Sequence, residues 1–240
     1  MKLLAFDTST EILSIAVTDG DRVWTHTGPG AAQASTTLVP SLLSLLAGAG
    51  LALGQLDALV FGRGPGSFTG LRTACSVAQG LALGARIPVL PLDTLLAVAE
   101  EARLQQSPDA PALSVTALLD ARMDEMYVQR FDWAGGRWTA LEPCTLQRPE
   151  AFVPAPGNGL LAGNVFSVYA GRLPACPEGL RCVDALPTAS AMLRLAPALL
   201  AAGHGVDAAH ALPLYVRDKV ALTTDERARA KAGAAPVSPP

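Results

Sequence analysis

Histidine, cysteine and lysine are scarce in this chain, and each scarcity removes a class of chemistry. There are three histidines in 240 residues. His26 stands alone, while His204, set between Gly203 and Gly205, and His210 do not share a helical face as a metal-ligating pair would. The four cysteines, Cys75, Cys144, Cys176 and Cys182, show no C-x-x-C spacing and read as reduced core or surface thiols. No lysine occurs between Lys2 and Lys219, so no glycine loop here carries the lysine of a Walker A phosphate site. A net charge of −3 with scattered basic residues leaves no footprint of an autonomous nucleic-acid binder. Only four apolar residues separate Lys2 from Asp7, too few for a signal peptide, and no later apolar run reaches membrane-spanning length unbroken. The expected location is the cytoplasm, with no membrane contact.

What the chain does have is apolar substance, half of its residues, enough for one large core or two modest ones. Leu3 to Phe6 reads as a buried strand ending at Asp7. Thr8, Ser9 and Thr10 turn it into a second strand, Ile12 to Val17, and Asp19-Gly20 is a hairpin signal before a third. Hydroxyls beside a carboxylate suit a phosphate and its metal, and they are equally ordinary for a turn. A helix is expected from Thr37 as N-cap, with Pro40 in its first turn. Leu38, Leu42, Leu45 and Leu46 form its stripe, and Val39 and Leu43 widen it beyond one core face.

The densest signal is Gly62-Arg63-Gly64-Pro65-Gly66-Ser67-Phe68-Thr69-Gly70-Leu71-Arg72, between a strand from Leu56 to Phe61 and a small-residue helix. Glycines here clear room for another group at a helix N-terminus: a phosphate, another protein's backbone, or nothing beyond a tight turn. The dinucleotide fingerprint fails because Ser67 and Thr69 stand where it needs glycine. In the following helix, Thr73, Ser76, Val77, Gly80 and Gly84 form a small-residue face that either a partner helix or an internal one could cover.

Asp93 is expected to cap a helix running to Gln105, and 107–111 marks a lobe boundary. Leu113 to Leu119 ends at Asp120, turns through Ala121 to Glu125, returns from Met126 to Phe131 and turns again at Gly135-Gly136. The opening pattern of strand, aspartate, turn, strand, glycine turn and strand thus occurs twice, a weak internal duplication. A strand at Leu160 to Ala162, a helix from Thr188 to Ala202 and the segment Leu212 to Arg217 complete the folded part. Residues 225–240 read as a disordered tail. The expected division is 1–107, 108–224 and 225–240.

Together these stretches resemble one family, TsaB, also called YeaZ. The resemblance rests on Leu4-Ala5-Phe6-Asp7-Thr8-Ser9-Thr10, the glycine-rich run 62–72, Ala78-Gln79-Gly80-Leu81-Ala82, Asp120-Ala121-Arg122 with Glu125 and Tyr127, and Pro213 with Tyr215 and Arg217. It implies an α/β fold of the actin-like, Hsp70-like ATPase (ASKHA) type, two lobes of related topology with mixed sheets flanked by helices. It also implies an accessory subunit, without catalytic residues, metal or cofactor, in the machinery that makes threonylcarbamoyladenosine in tRNA. The implied partners are a catalytic TsaD-type subunit, which transfers threonylcarbamoyl to N6 of the adenosine beside the anticodon, and a TsaE-type ATPase. Contact with tRNA comes only through that complex, and a homodimer is the alternative assembly for the chain alone.

The implied partner interface comprises Leu38, Leu42, Leu45, Leu46, Thr73, Ser76, Val77, Gly80 and Leu81. The glycine-rich loop comprises Gly62, Arg63, Gly64, Pro65, Gly66, Ser67, Phe68, Thr69, Gly70 and Arg72. The partner's site holds its metal with a helix-borne histidine pair, and the first helix here has no histidine; many family members carry one just before this helix, where this chain has Ala34. The competing reading, an ATP-dependent small-molecule kinase of the same fold class, needs a glycine-rich phosphate turn where Thr8, Ser9 and Thr10 sit. A glycoprotease needs metal ligands or an activated nucleophile, and neither set is evident.

Overall fold

The structure, a computed structural model, describes residues 1–30 and 33–217; the expected tail at 225–240 lies outside them. Five strands, β1 (Leu3–Asp7), β2 (Ile12–Thr18), β3 (Val23–Pro29), β4 (Ala58–Gly64) and β5 (Val89–Asp93), form one sheet in the order β3-β2-β1-β4-β5. A second sheet contains β6 (Ala112–Asp120), β7 (Met126–Ala134), β8 (Arg137–Ala140), β10 (Gly159–Gly163) and β11 (Leu180–Asp184), with the short β9 (Thr145–Gln147) paired to β7. Its order, β8-β7-β6-β10-β11, repeats that of the first sheet. In each, the first three strands form an antiparallel meander and the last two run parallel to the first. The weak duplication in the sequence is therefore a duplication of topology. β9 and β11 carried too little apolar alternation to be read in advance.

Alternation along β1 sets the layers. Leu4 and Phe6 face one side with Leu13, Ile15, Leu59 and Phe61, where α1 (Ala34–Gly48) and α2 (Phe68–Ala85) pack. Leu3 and Ala5 face the other side with Ala16, Ala58 and Val60, and these small residues admit α5 (Ala189–Ala201) closely through Ala189, Met192 and Ala196. On the second sheet, Val115, Ala117 and Leu119 meet Leu95, Val98 and Ala102 of α3 (Thr94–Gln106). Its far face meets the short α4 (Val165–Val168). Helix packing thus crosses the expected boundary near residue 107. α3, which follows the first sheet in sequence, lies mainly on the second sheet, and α5 lies on the first.

Three local expectations change. α1 begins at Ala34 with Gln33 as N-cap, not Thr37, and Pro40 lies inside the helix. The reason is visible in the first turn, where the Thr36 and Thr37 hydroxyls donate back to the Gln33 carbonyl at 3.0 and 3.2 Å instead of capping. The glycine-rich run is not one loop: Gly62 to Gly64 complete β4, and α2 begins at Phe68 with Ser67 as its N-cap. Asp93 occupies the N-cap position of α3 without a capping hydrogen bond, because its carboxylate pairs with Arg63 at 2.5 Å.

Candidate functional site

The C-terminal ends of β1, β4, β6 and β10 converge on a cleft between the lobes. β1 delivers Asp7 fully buried. Its Oδ1 accepts from the Ser9 amide at 2.9 Å and the Ser9 hydroxyl at 2.7 Å, and its Oδ2 has no hydrogen-bond partner among the described residues. Burial pushes this carboxyl up to about 7 against the pull of the two Ser9 hydrogen bonds. The other turn hydroxyls are also engaged by the chain itself. Thr8 donates to the Gly70 carbonyl at 2.7 Å and Thr10 bonds the Ile12 backbone.

Those contacts explain the glycines that follow. Ser67 N–H donates to the Ser9 carbonyl at 2.7 Å, and a Cβ on Gly70 would stand 1.9 Å from the Thr8 carbonyl oxygen. Glycine is required at position 70 because the Thr8-Ser9 turn is pressed into the start of α2. The group these glycines admit is the chain's own Thr8-Ser9 backbone, a neighbour the sequence reading did not name.

Across the cleft, Asp120 ends β6 as Asp7 ends β1. It accepts from the Tyr169 hydroxyl at 2.7 Å and the Arg122 amide at 2.9 Å, while its own amide donates to Asn164. Burial and the Asp120 carboxylate both push the Tyr169 hydroxyl upward. The following turn holds Arg122, Met123 and Asp124 in succession at φ values of 59°, 55° and 59°. Left-handed backbone at a residue with a Cβ costs about 1–2 kcal/mol each, and nothing in the sequence announced three in a row. Arg122 reaches over to Glu11, joining the two lobes directly. The cavity left between them is about 220 Å³, lined by residues that include Ser9, Ser67, Asn164, Tyr215 and Arg217.

The fold type implies a nucleotide in this cleft, and the residues present do not fit one. The cavity is smaller than the roughly 300 Å³ at which small-molecule sites begin. The first-lobe hydroxyls are engaged by the chain itself, Ser9 and Thr10 within their turn and Thr8 at the start of α2, and the free oxygen of Asp7 is buried under Gly62 rather than open to the cleft. Among the described residues no group of three or more His, Cys, Asp and Glu could hold a metal ion.

The outer layer of the first lobe is different in kind. Leu38, Leu42 and Leu46 point into the core beneath α1, so three of the four leucines expected at the interface cannot touch a partner, and Leu45 is only half-buried against that core. The same helix exposes Leu43 at 50%. On α2 the expected small face does point outward. Ser76 and Gly80 are exposed, Thr73, Val77 and Leu81 are half-buried, and a Cβ on Gly80 or Gly84 would meet nothing within 4 Å. Among the described residues no helix covers this face. Leu83, 74% exposed, adds an apolar side chain near the C-terminal end of the helix and was missed because a helix stripe read from sequence does not reveal which side is the core; Phe68, named in the loop, packs instead against Tyr215.

Two sheets of one topology around a cleft, with helices between and outside them, define an actin-like ASKHA-type fold. The sequence profile described as "TsaD: tRNA N6-adenosine threonylcarbamoyltransferase" matches residues 13–172. Within that wider group, the chain belongs to the TsaB (YeaZ) family. It is 37% identical to the tRNA threonylcarbamoyladenosine biosynthesis protein TsaB of Haemophilus influenzae, over 92% of this chain and 95% of that protein. To TsaB of Escherichia coli it is 34% identical, over 92% of this chain and 96% of the relative. The solved structure of YeaZ from Pseudomonas aeruginosa superposes with a TM-score of 0.79 at 38% identity, covering 89% of this chain and 99% of that one. Among the described residues no helix is long and apolar enough to cross a membrane.

Proposed function

We propose that this chain acts in tRNA threonylcarbamoyladenosine biosynthesis as a noncatalytic subunit. The outer faces of α1 and α2 dock a TsaD-type catalytic subunit, and a TsaE-type ATPase joins the assembly. The observation that carries the reading is the face of α2 left uncovered by the described residues, where Ser76, Gly80 and Gly84 present small residues, while Leu43 of α1 and Leu83 of α2 are exposed. Glycine inside a helix costs about 1 kcal/mol against alanine, and two glycines with no neighbour among the described residues are accounted for by a helix approaching from outside. Stable interfaces bury about 800 Å² per partner, an area two helices of 15 and 18 residues with their flanking turns can supply.

The noncatalytic part is supported by the cleft: a buried Asp7 whose carboxyl is pushed up to about 7, turn hydroxyls bonded by the chain itself, and a first helix without histidine. The same features weigh against the kinase alternative. A reconstituted mixture of catalytic subunit, ATPase, substrates and tRNA tests both parts. Modification should fall to background without this chain, and the Asp7→Asn variant should restore it as well as the wild type. Full modification without the chain would contradict the accessory role. A folded Asp7→Asn chain that restores nothing would contradict the noncatalytic one.

A further inference from the structure

The final described segment, Leu212 to Arg217, matched the family in sequence yet has no part in the docking face. It crosses from one lobe to the other. Its approach is fixed by the Ala211 carbonyl, which accepts from Gln79 Nε2 of α2 at 2.8 Å. Leu214 N–H then donates to the Arg63 carbonyl at 2.7 Å. A Cβ at Gly64, whose φ is +120°, would lie 2.6 Å from the Leu214 oxygen, so only glycine admits the strap there. Tyr215 stacks on Phe68 with ring centroids 5.5 Å apart and accepts from Arg72 Nε at 3.0 Å. Two residues on, Arg217 reaches the second lobe. Its Nη2 donates to the Ala121 and Arg122 carbonyls at 3.1 and 3.3 Å, and its Nη1 pairs with Glu125 at 2.7 Å.

The turn that Arg217 grips is the one carrying three successive left-handed residues, and the helix that Tyr215 grips is the one with the outward small-residue face. A guanidinium donating to turn carbonyls while bound to a carboxylate on the same turn can hold backbone that would otherwise relax. We propose that Leu212 to Arg217 is an interlobe latch that holds the strained Arg122–Asp124 turn closed over the cleft and couples that turn to the start of α2. Its coupling to a partner rests on the docking reading above; the latch itself does not. Relaxation of the turn and loosening of the strap are then one event, sensed at the first turn of the docking helix.

Hydrogen exchange on the full chain tests this in two stages. In the isolated protein, Arg217→Ala should raise amide exchange about tenfold both at 121–125 and at 8–11 across the cleft, leaving the cores of α3 and α5 unchanged, and Arg217→Lys should restore only part of the protection. Acceleration confined to the strap, or spread over the whole chain in both variants, would overturn the latch. In the second stage the TsaD-type subunit is added. It should slow exchange at the 121–125 turn of the wild type, and in Arg217→Ala that slowing should vanish while slowing on α2 persists. Equal slowing at the turn in both proteins would overturn the coupling, whereas no slowing on α2 in either would overturn the docking reading and leave the first-stage result standing.

Discussion

Asp7 shows how a residue visible in the sequence acquires its meaning only from its surroundings. The run Asp7-Thr8-Ser9-Thr10 was legible as a polar turn after a buried strand. What the sequence did not show is that the Thr8 and Ser9 groups face their own chain, because Gly70 lies sixty-two residues away from the Thr8 it accepts from. Desolvation then dominates the aspartate, raising it from 3.8 to about 7. Between those values the folded state holds a proton that the unfolded chain has released, so this group makes stability fall as pH rises from about 4 to 7 and level off above. Asparagine cannot ionise, and whatever it costs in itself is independent of pH. Relative to wild type, Asp7→Asn should therefore gain about 3–4 kcal/mol between pH 4 and pH 8 in urea unfolding. A difference that stays flat over this range would mean that Asp7 is ionised in the folded protein.

At the level of elements, the two outer helices were placed correctly, but their faces were sorted only in part. Periodicity located the leucine stripe of α1 and named Leu38, Leu42 and Leu46, the residues that hold the helix onto Phe6, Ile15 and Phe61. It also named Val39 and Leu43 as the excess beyond one core face; the structure exposes Leu43 and leaves Val39 half-buried, while the stripe leucines expected at the interface face the core. On α2 the small residues were found, and the choice between an outside and an inside neighbour required the structure, which leaves Gly80 and Gly84 open. Two substitutions one residue apart separate these roles. Leu42→Ala should cost about 2–5 kcal/mol of stability by opening a cavity, read as a lower urea midpoint. Leu43→Glu should leave that midpoint within about 0.5 kcal/mol while weakening capture of the TsaD-type subunit at least tenfold. If Leu43→Glu instead destabilises the isolated chain as Leu42→Ala does, the face assigned to docking is part of the core.

The molecule as a whole is two copies of one strand topology joined by a shared helical layer. The repeat was legible because each copy begins with an apolar strand and an aspartate. The exchange of helices was not, because α3 and α5 are apolar enough to suit either sheet. Glu100 ties this layer together. It accepts from Arg103 at 2.9 Å, from Arg194 at 2.9 Å and from Trp138 Nε1 at 3.0 Å, joining α3, α5 and β8. Burial pushes this carboxyl up, but the hydrogen bonds from Arg103, Trp138 and Arg194 outweigh it and hold it below the usual glutamate range. Its contribution is present at neutral pH and is lost as pH falls through the lowered value. Glu100→Ala should accordingly cost about 3 kcal/mol at pH 7, and less in acid, by urea unfolding.

The central claim, that the outward small-residue face of α2 receives a homologous catalytic subunit, is tested most directly by Gly80→Leu, with binding and thermal unfolding measured on the same preparation. The side chain enters open space in the isolated chain and replaces a helix-interior glycine, so the melt should hold or rise slightly. In a close helix contact it overpacks, and capture of the TsaD-type subunit should be lost. Undiminished capture at an unchanged melting temperature would contradict the claim.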